Sequence, residues 1–286
     1  MTGSGRGRPA PVQRREPSPA PTSPVILHVP HASLAIPDWV RARIVADDAQ
    51  VAAALAHLTD HATDLIAEVA HDAMVAAGLA APTIYAADWS RFVVDVERFP
   101  DPAHEVMATR GMSAVYTRGP FGEPWRDDAD PGFADHAAAL LNRYYTPYHE
   151  GLTALVDSAL TAQGRCLILD VHSYPTQTLP YELPHASRPP ICLGTDPDHT
   201  SPELTVMAAS AFTAAGYEVG LNSPFAGALV PLAHYRTDTR VQAVMVEIRR
   251  DQYLIEEPGG PPDPPRVAAL ADAITDVAAA WIASPP

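Results

Sequence analysis

Asp170 and His172 stand two positions apart at the end of the apolar run "LILDVHSYPTQ", residues 167–177. Side chains alternate across a strand, so these two share one face while Val171 takes the other. A buried strand that turns polar at its C-terminal end is where open α/β sheets bind ligands. Two further runs end in the same way. "VILHVPHAS" puts His31 just past an apolar stretch, and "VMVEIRRD" sets Glu247 inside one, ahead of Arg249, Arg250 and Asp251. Two imidazoles from different loops plus a carboxylate make the ligand set of an open zinc site. A further carboxylate, off the metal, is the general base such a site needs to take a proton from water. Each residue also has a plainer explanation: a structural hydrogen bond for either histidine, or an ion pair with Arg98 or Arg249 for Glu247. Asp170 would orient His172 from behind if that imidazole binds metal.

Two other segments hold candidates. "HLTDHATD" contains His57, Asp60, His61 and Asp64. Asp60 stands where a helix begins, so an N-cap role accounts for it, while His57 and His61, four apart, could share a helix face. In "YAADWSRFVVDVERFPD", Arg91 and Arg98 flank the run "FVVDV", with Asp95 inside it. The planar fork of Arg suits a carboxylate, because it gives two parallel hydrogen bonds. The alternative is a salt bridge to Asp95 or Glu97.

The elements that must position these residues are read from hydrophobic periodicity. Strands are expected at 25–29, 83–86, 92–96, 166–171, 191–194, 217–221 and 241–248. Helical spacing covers 47–57, 61–77, 133–162 with a kink at Pro147, 201–215 and 266–283. Strands alternating with helices imply an α/β protein with a layered, largely parallel sheet. Residues 1–24 are Pro, Gly, Ser and Arg with little to pack and read as a disordered arm. No linker or internal repeat is visible after residue 24, so 25–286 is expected to be a single domain.

Composition narrows the function. The chain has 286 residues and a formal charge of −15, with Arg as its only basic residue besides His. Nucleic acid and anionic membranes need basic patches, so neither is expected as a partner. Cys166 and Cys192 lie in apolar runs and read as buried free thiols. No stretch approaches the roughly 18 apolar residues of a membrane span, and a cytoplasmic location is the default expectation.

Taken in order, "VPHAS", "LTDHATD", "SRFVVDVER", "LDVHSY", "LGTDPDHT", "NSPFAGALV" and "MVEIRRDQY" resemble the N-formylglutamate amidohydrolase family. They are also similar to the wider zinc carboxypeptidase and aspartoacylase superfamily. The resemblance implies a three-layer sandwich around a mixed, largely parallel sheet, of the phosphorylase/hydrolase-like, zinc-carboxypeptidase-like kind. It implies one zinc ion held by His31, His172 and Asp60, with Asp64 as the fallback. It also implies Glu247 as base, and Arg98, with Arg91, as a clamp for a small anionic N-acyl amino acid. The implied reaction is hydrolysis of N-formyl-L-glutamate. A hydrolase with another acyl or peptide substrate and a metal-free binding protein are the alternatives. Three positions depart from the pattern: Glu97 replaces an Asn, Ala32-Ser33 replaces Ser-Gly, and "AGALV" lacks a second Gly. The first bears on substrate, because Glu97 would repel an anion unless it faces away.

Overall fold

The computed structural model describes residues 23–182 and 187–285. The arm expected over 1–24 lies outside them, apart from Ser23 and Pro24, which are buried and lead directly into the first strand. Six strands form one sheet: β1 Val25–Val29, β2 Thr83–Ala86, β3 Cys166–Tyr174, β4 Ile191–Gly194, β5 Val219–Leu221 and β6 Val241–Arg249. Their order is β2-β1-β3-β6-β4-β5. The pairs β2–β1, β1–β3 and β3–β6 are parallel, β4 runs antiparallel to β6, and β4–β5 is parallel. The sheet is therefore mixed and largely parallel, as expected.

The main helices are α1 Asp38–Arg41, α2 Asp48–Leu58, α3 Thr63–Ala76, α4 Phe133–Leu140, α5 Thr146–Gln163, α6 Pro202–Ala214 and α7 Pro264–Ala283. Their ends carry recognisable signals. A reciprocal capping box between Asp47 and Gln50 opens α2, and Ser201 caps α6 ahead of Pro202. Gly164, with φ of 73°, closes α5, where a left-handed residue costs glycine least. The disturbance expected at Pro147 falls slightly earlier, as a π-helical turn over Leu141–Tyr145. Proline cannot donate to the carbonyl four residues back and crowds it, and the widened turn contains that residue, Arg143.

Strand alternation divides the sheet into two faces. Leu27, Leu167, Leu169, Val171, Val244 and Val246 pack on one side against α3, α6 and α7. Ile26, Cys166, Ile168, Val241 and Ala243 pack on the other against Leu152, Val156 and Ala159 of α5. The result is three layers. Each fully buried Leu or Val of β3 contributes about 1.5–3 kcal/mol relative to exposure, which fixes the register of the polar residues beyond. Cys166 and Cys192 are buried free thiols, as expected.

Residues 92–96 do not form the expected strand. They are all buried but run through turns, because another part of the chain supplies the hydrogen bonds a neighbouring strand would give. The guanidinium of Arg126, itself buried, donates to the carbonyls of Phe92, Val93 and Tyr116. A run of β-branched residues thus records burial here rather than pairing.

Candidate active site

Register brings the polar residues together. His28 on β1 lies opposite Asp170 on β3, and His172 on β3 lies opposite Glu247 on β6, which in turn meets Cys192 on β4. All are on the α5 side of the sheet, beyond the C-terminal ends of the apolar stretches that α5 covers. The cavity at this end of the sheet has a volume of about 590 Å³, and His31, Asp60, Arg91, Glu97, Arg98, Asp170, His172 and Glu247 line it.

His31 and His172, 141 residues apart, present Nδ1 to Nδ1 at 3.4 Å. Asp60 Oδ2 is 3.0 Å from Nδ1 of His172 and 3.7 Å from Nδ1 of His31. Three ligands about 2.0–2.1 Å from one tetrahedral zinc lie roughly 3.3–3.4 Å from one another, and the three observed separations bracket that value. Asp60 takes this position because α3 begins at Thr63, not at 61. Thr63 caps back onto the Asp60 carbonyl through its hydroxyl, which frees the Asp60 carboxylate from the N-cap role. Its other oxygen faces Arg250 at 3.7 Å. Asp64 is exposed and bonds the amide of Leu65, so it stands away from the imidazoles.

The far nitrogens of both imidazoles are also accounted for. Nε2 of His31 donates to Asp95 Oδ1 at 2.9 Å, and Nε2 of His172 donates to Asp170 Oδ1 at 3.0 Å. With Nε2 protonated, each neutral ring keeps Nδ1 bare, as a ligand nitrogen must be. Asp95 is held by Arg91 at 2.7 and 3.1 Å and by the Tyr116 hydroxyl at 2.6 Å. Asp170 accepts from His28 Nδ1 at 2.6 Å and from the Leu229 amide, and the Tyr148 hydroxyl donates to His28 Nε2 at 2.7 Å. Asp170 thus hydrogen-bonds His172 on the ring nitrogen away from Asp60. Asp95 and His28 supply the rest of the support, and the spacing of residues in the sequence pointed to neither in that role.

The titration of these groups reflects their packing. Burial opposes the charged form of His31, and Arg91 adds to that opposition, but Asp95 and Asp60 outweigh both and raise its pKa. His172 goes further up: burial lowers it, while Glu97, Asp170 and Asp60 more than compensate. Burial alone would raise Asp60 and Asp170, yet their imidazole partners hold both below the usual carboxylate range. The carboxylates thus draw positive charge to the two rings, charge that protons or one divalent cation can supply.

Glu247 behaves differently. Burial comes first in pushing its pKa up to about 8, with Asp60 and Glu97 adding to it against the pull of His172. Among the described residues its Oε2 has no hydrogen-bond partner. Arg249 pairs with Asp251 instead, and Arg98 lies by Asp95 and Glu105, so neither forms the ion pair considered for Glu247. A buried, unpartnered carboxyl with a pKa near neutrality is suited to proton transfer.

Glu97 faces inward. It lies 3.2 Å from His172 Nε2 and 3.6 Å from His31 Nδ1, so it competes with Asp60 as a carboxylate for the two rings. It reaches His172 on the nitrogen already held by Asp170, and with His31 and His172 it forms a group of donors able to hold a metal ion; Asp60 instead meets both free Nδ1 atoms. His57 and His61 bond carbonyls of their own neighbourhood. His149 donates to the Val96 carbonyl at 2.7 Å and packs at a tilt against Tyr145, tying α5 to the loop that carries Glu97 and Arg98.

The family model for N-formylglutamate amidohydrolase matches residues 23–254 of the chain. The N-formylglutamate deformylase of Pseudomonas putida is 27% identical over 246 residues, covering 82% of each protein. The crystal structure of N-formylglutamate amidohydrolase from Ralstonia eutropha JMP134 superposes with a TM-score of 0.70 at 22% identity, over 91% of this chain and 94% of that one. A gene product of Agrobacterium tumefaciens gives a TM-score of 0.64 at 18% identity over 91% of both chains. At these identities the two structures speak for the fold.

Proposed function

Since the chain belongs to the N-formylglutamate amidohydrolase family, we propose that it is a zinc-dependent enzyme that hydrolyses the amide C–N bond of an N-acyl amino acid. N-formyl-L-glutamate, the compound named in its Pseudomonas putida relative, is the reference substrate. One observation carries this reading: two imidazole Nδ1 atoms and the Asp60 carboxylate, from three separate segments, meet at metal-ligand spacing beside an unpartnered Glu247. Two imidazoles and one carboxylate, open to a cavity, are the donor set of a catalytic zinc site. His31, His172 and Asp60 would hold the ion, and its chemistry there would be to lower the pKa of a water to about 7 and to polarise the amide carbonyl.

The remaining work belongs to the chain. Asp95 and Asp170 keep His31 and His172 in the tautomer that leaves Nδ1 free. Glu247 takes the proton of the attacking water and returns it to the leaving amine nitrogen. Arg98 positions the substrate carboxylate, supported by Arg91, whose Nε and Nη2 are already engaged by Asp95. All of these groups fall within the single domain assigned to 25–286.

The test is formate release from N-formyl amino acids by zinc-loaded protein. Glu247→Gln should lower kcat by about 10²–10⁴-fold while zinc content stays at one per chain. Near-normal kcat in that variant would remove Glu247 from its role. A related hydrolase with a different acyl amino acid is the second reading, and the inward orientation of Glu97 favours it.

A further inference from the structure

We infer that Glu97 selects the substrate, turning the cavity against N-acyl amino acids with a second carboxylate and toward those with an uncharged, apolar side chain. The inference rests on the amidohydrolase reading of the same cavity. Its first support is position. The Glu97 side chain is 16% exposed, whereas those of Asp60, Asp95 and Asp170 are at most 4% exposed. Of the carboxylates gathered around the imidazoles, Glu97 is therefore the one presented to an incoming ligand. Its backbone is pinned on both sides, and its carboxylate is held toward the site by His172 at 3.2 Å. Its own amide donates to Asp95 Oδ1 at 3.1 Å, the preceding carbonyl accepts from His149, and the following carbonyl accepts from Tyr145.

Its second support is the supply of cationic donors. Three guanidiniums line the cavity: Arg91, Arg98 and Arg250. Arg91 spends Nε and Nη2 on Asp95. Arg250 spends its nitrogens on Ser173 and on the carbonyls of Ala56, His57 and Ser173. Arg98 makes one long hydrogen bond to Glu105, at 3.5 Å, and its Nε has no hydrogen bond, only an ion pair with Asp95 at 3.7 Å. Among the described residues only Arg98 keeps most of its fork, which is enough for one substrate carboxylate. Seven carboxyl groups line the same cavity; Glu182 pairs with Arg188 and Glu247 keeps its proton to about pH 8, so a divalent cation and three guanidiniums only balance the other five and leave no spare cation for a second substrate carboxylate.

Its third support is the wall. Phe99, Val106 and Leu232 border the cavity and remain 37%, 84% and 48% exposed. A volume of about 590 Å³ falls within the range that encloses a drug-sized ligand. It leaves room for a bulky side chain that would cover these apolar surfaces.

The experiment compares N-formyl-L-leucine with N-formyl-L-glutamate on zinc-loaded wild type, Glu97→Gln and Glu97→Asp, reading kcat and KM separately and measuring binding of both compounds by calorimetry. Wild type should favour the leucine compound by at least tenfold in kcat/KM, mostly through KM. Glu97→Gln should shrink that ratio about tenfold by improving binding of the glutamate compound, and Glu97→Asp, which keeps the charge, should preserve the preference. Wild type that favours N-formyl-L-glutamate, or a ratio unmoved by Glu97→Gln, overturns the inference. Failure of the hydrolase reading looks different: no formate from either compound. In that event the calorimetric ratio and its response to Glu97→Gln still decide the role of Glu97.

Discussion

Replacing Asp95 with Asn should weaken metal binding although Asp95 touches no metal ligand atom that faces the cavity. Asp95 Oδ2 accepts three hydrogen bonds, two from Arg91 at 2.7 and 3.1 Å and one from Tyr116 at 2.6 Å, while Oδ1 accepts two, from His31 Nε2 at 2.9 Å and from the Glu97 amide at 3.1 Å. An amide has one oxygen, and three donors compete to keep it on the Arg91 side. The amide nitrogen then faces His31 and donates, so Nε2 must accept and the ring proton moves to Nδ1, the atom opposite Asp60 and His172. Binding a cation requires that proton to leave and the new hydrogen bond to break. A hydrogen bond to a charged group contributes about 1.5–3 kcal/mol, and loss of such a supporting partner typically costs about 10–100-fold in metal affinity. Zinc affinity, measured by competition with a chromophoric chelator, should fall by that factor in Asp95→Asn. Thermal melting of the metal-free variant shows whether the loss is one of folding, since Arg91 also loses its charged partner. A folded variant that binds zinc within threefold of wild type would refute the tautomer argument.

The same geometry yields further predictions. Asp60→Asn should reduce zinc affinity by at least tenfold, whereas Asp64→Asn, at an exposed position, should leave it unchanged; the same chelator competition separates them. His31 and His172 have raised pKa values, so their stabilising charge in metal-free protein is full below about 6.5 and is lost as pH rises through the raised values. Glu247, raised to about 8, acts in the same direction over roughly pH 4.5–8. Zinc binding needs these nitrogens deprotonated. From pH 6 to 9 the melting temperature of metal-free protein should therefore fall while the increment added by zinc grows; parallel pH curves with and without zinc would contradict this. Arg126→Ala leaves the buried carbonyls of Phe92, Val93 and Tyr116 without this donor and should destabilise the fold by about 3 kcal/mol or more, at about 1–3 kcal/mol for each unsatisfied group. Chemical denaturation reads that cost.

The sheet and its polar strand ends were legible in the sequence because both depend on local alternation. His31, His172 and Glu247 stood out as polar residues at the ends of apolar runs, and register alone brought the last two together. Asp60 and Asp64 could not be told apart, since the choice turns on a helix that starts two residues later than its periodicity suggests. The failed strand at 92–96 has a similar origin: the pattern reports burial, and only the distant Arg126 decides what satisfies the backbone. His28 carries one signal in the sequence, a lone imidazole inside "VILHV", a strand buried on both faces, which calls for a partner in the core. Local spacing offers Asp95 to Arg91, but the bond from Asp95 to His31 spans 64 residues and leaves no trace there. The orientation of Glu97 was open for the same reason, and the structure turns it toward the imidazoles.

The central claim is that His31, Asp60 and His172 hold one cation, and anomalous diffraction at the zinc edge, on crystals of zinc-loaded protein, tests it most directly. A single strong peak is expected about 2.0–2.1 Å from both Nδ1 atoms and from an Asp60 oxygen, with Glu247 beside it and not bound. A peak elsewhere in the molecule, or one ligated through the Nε2 nitrogens with Asp60 turned away, would contradict that claim.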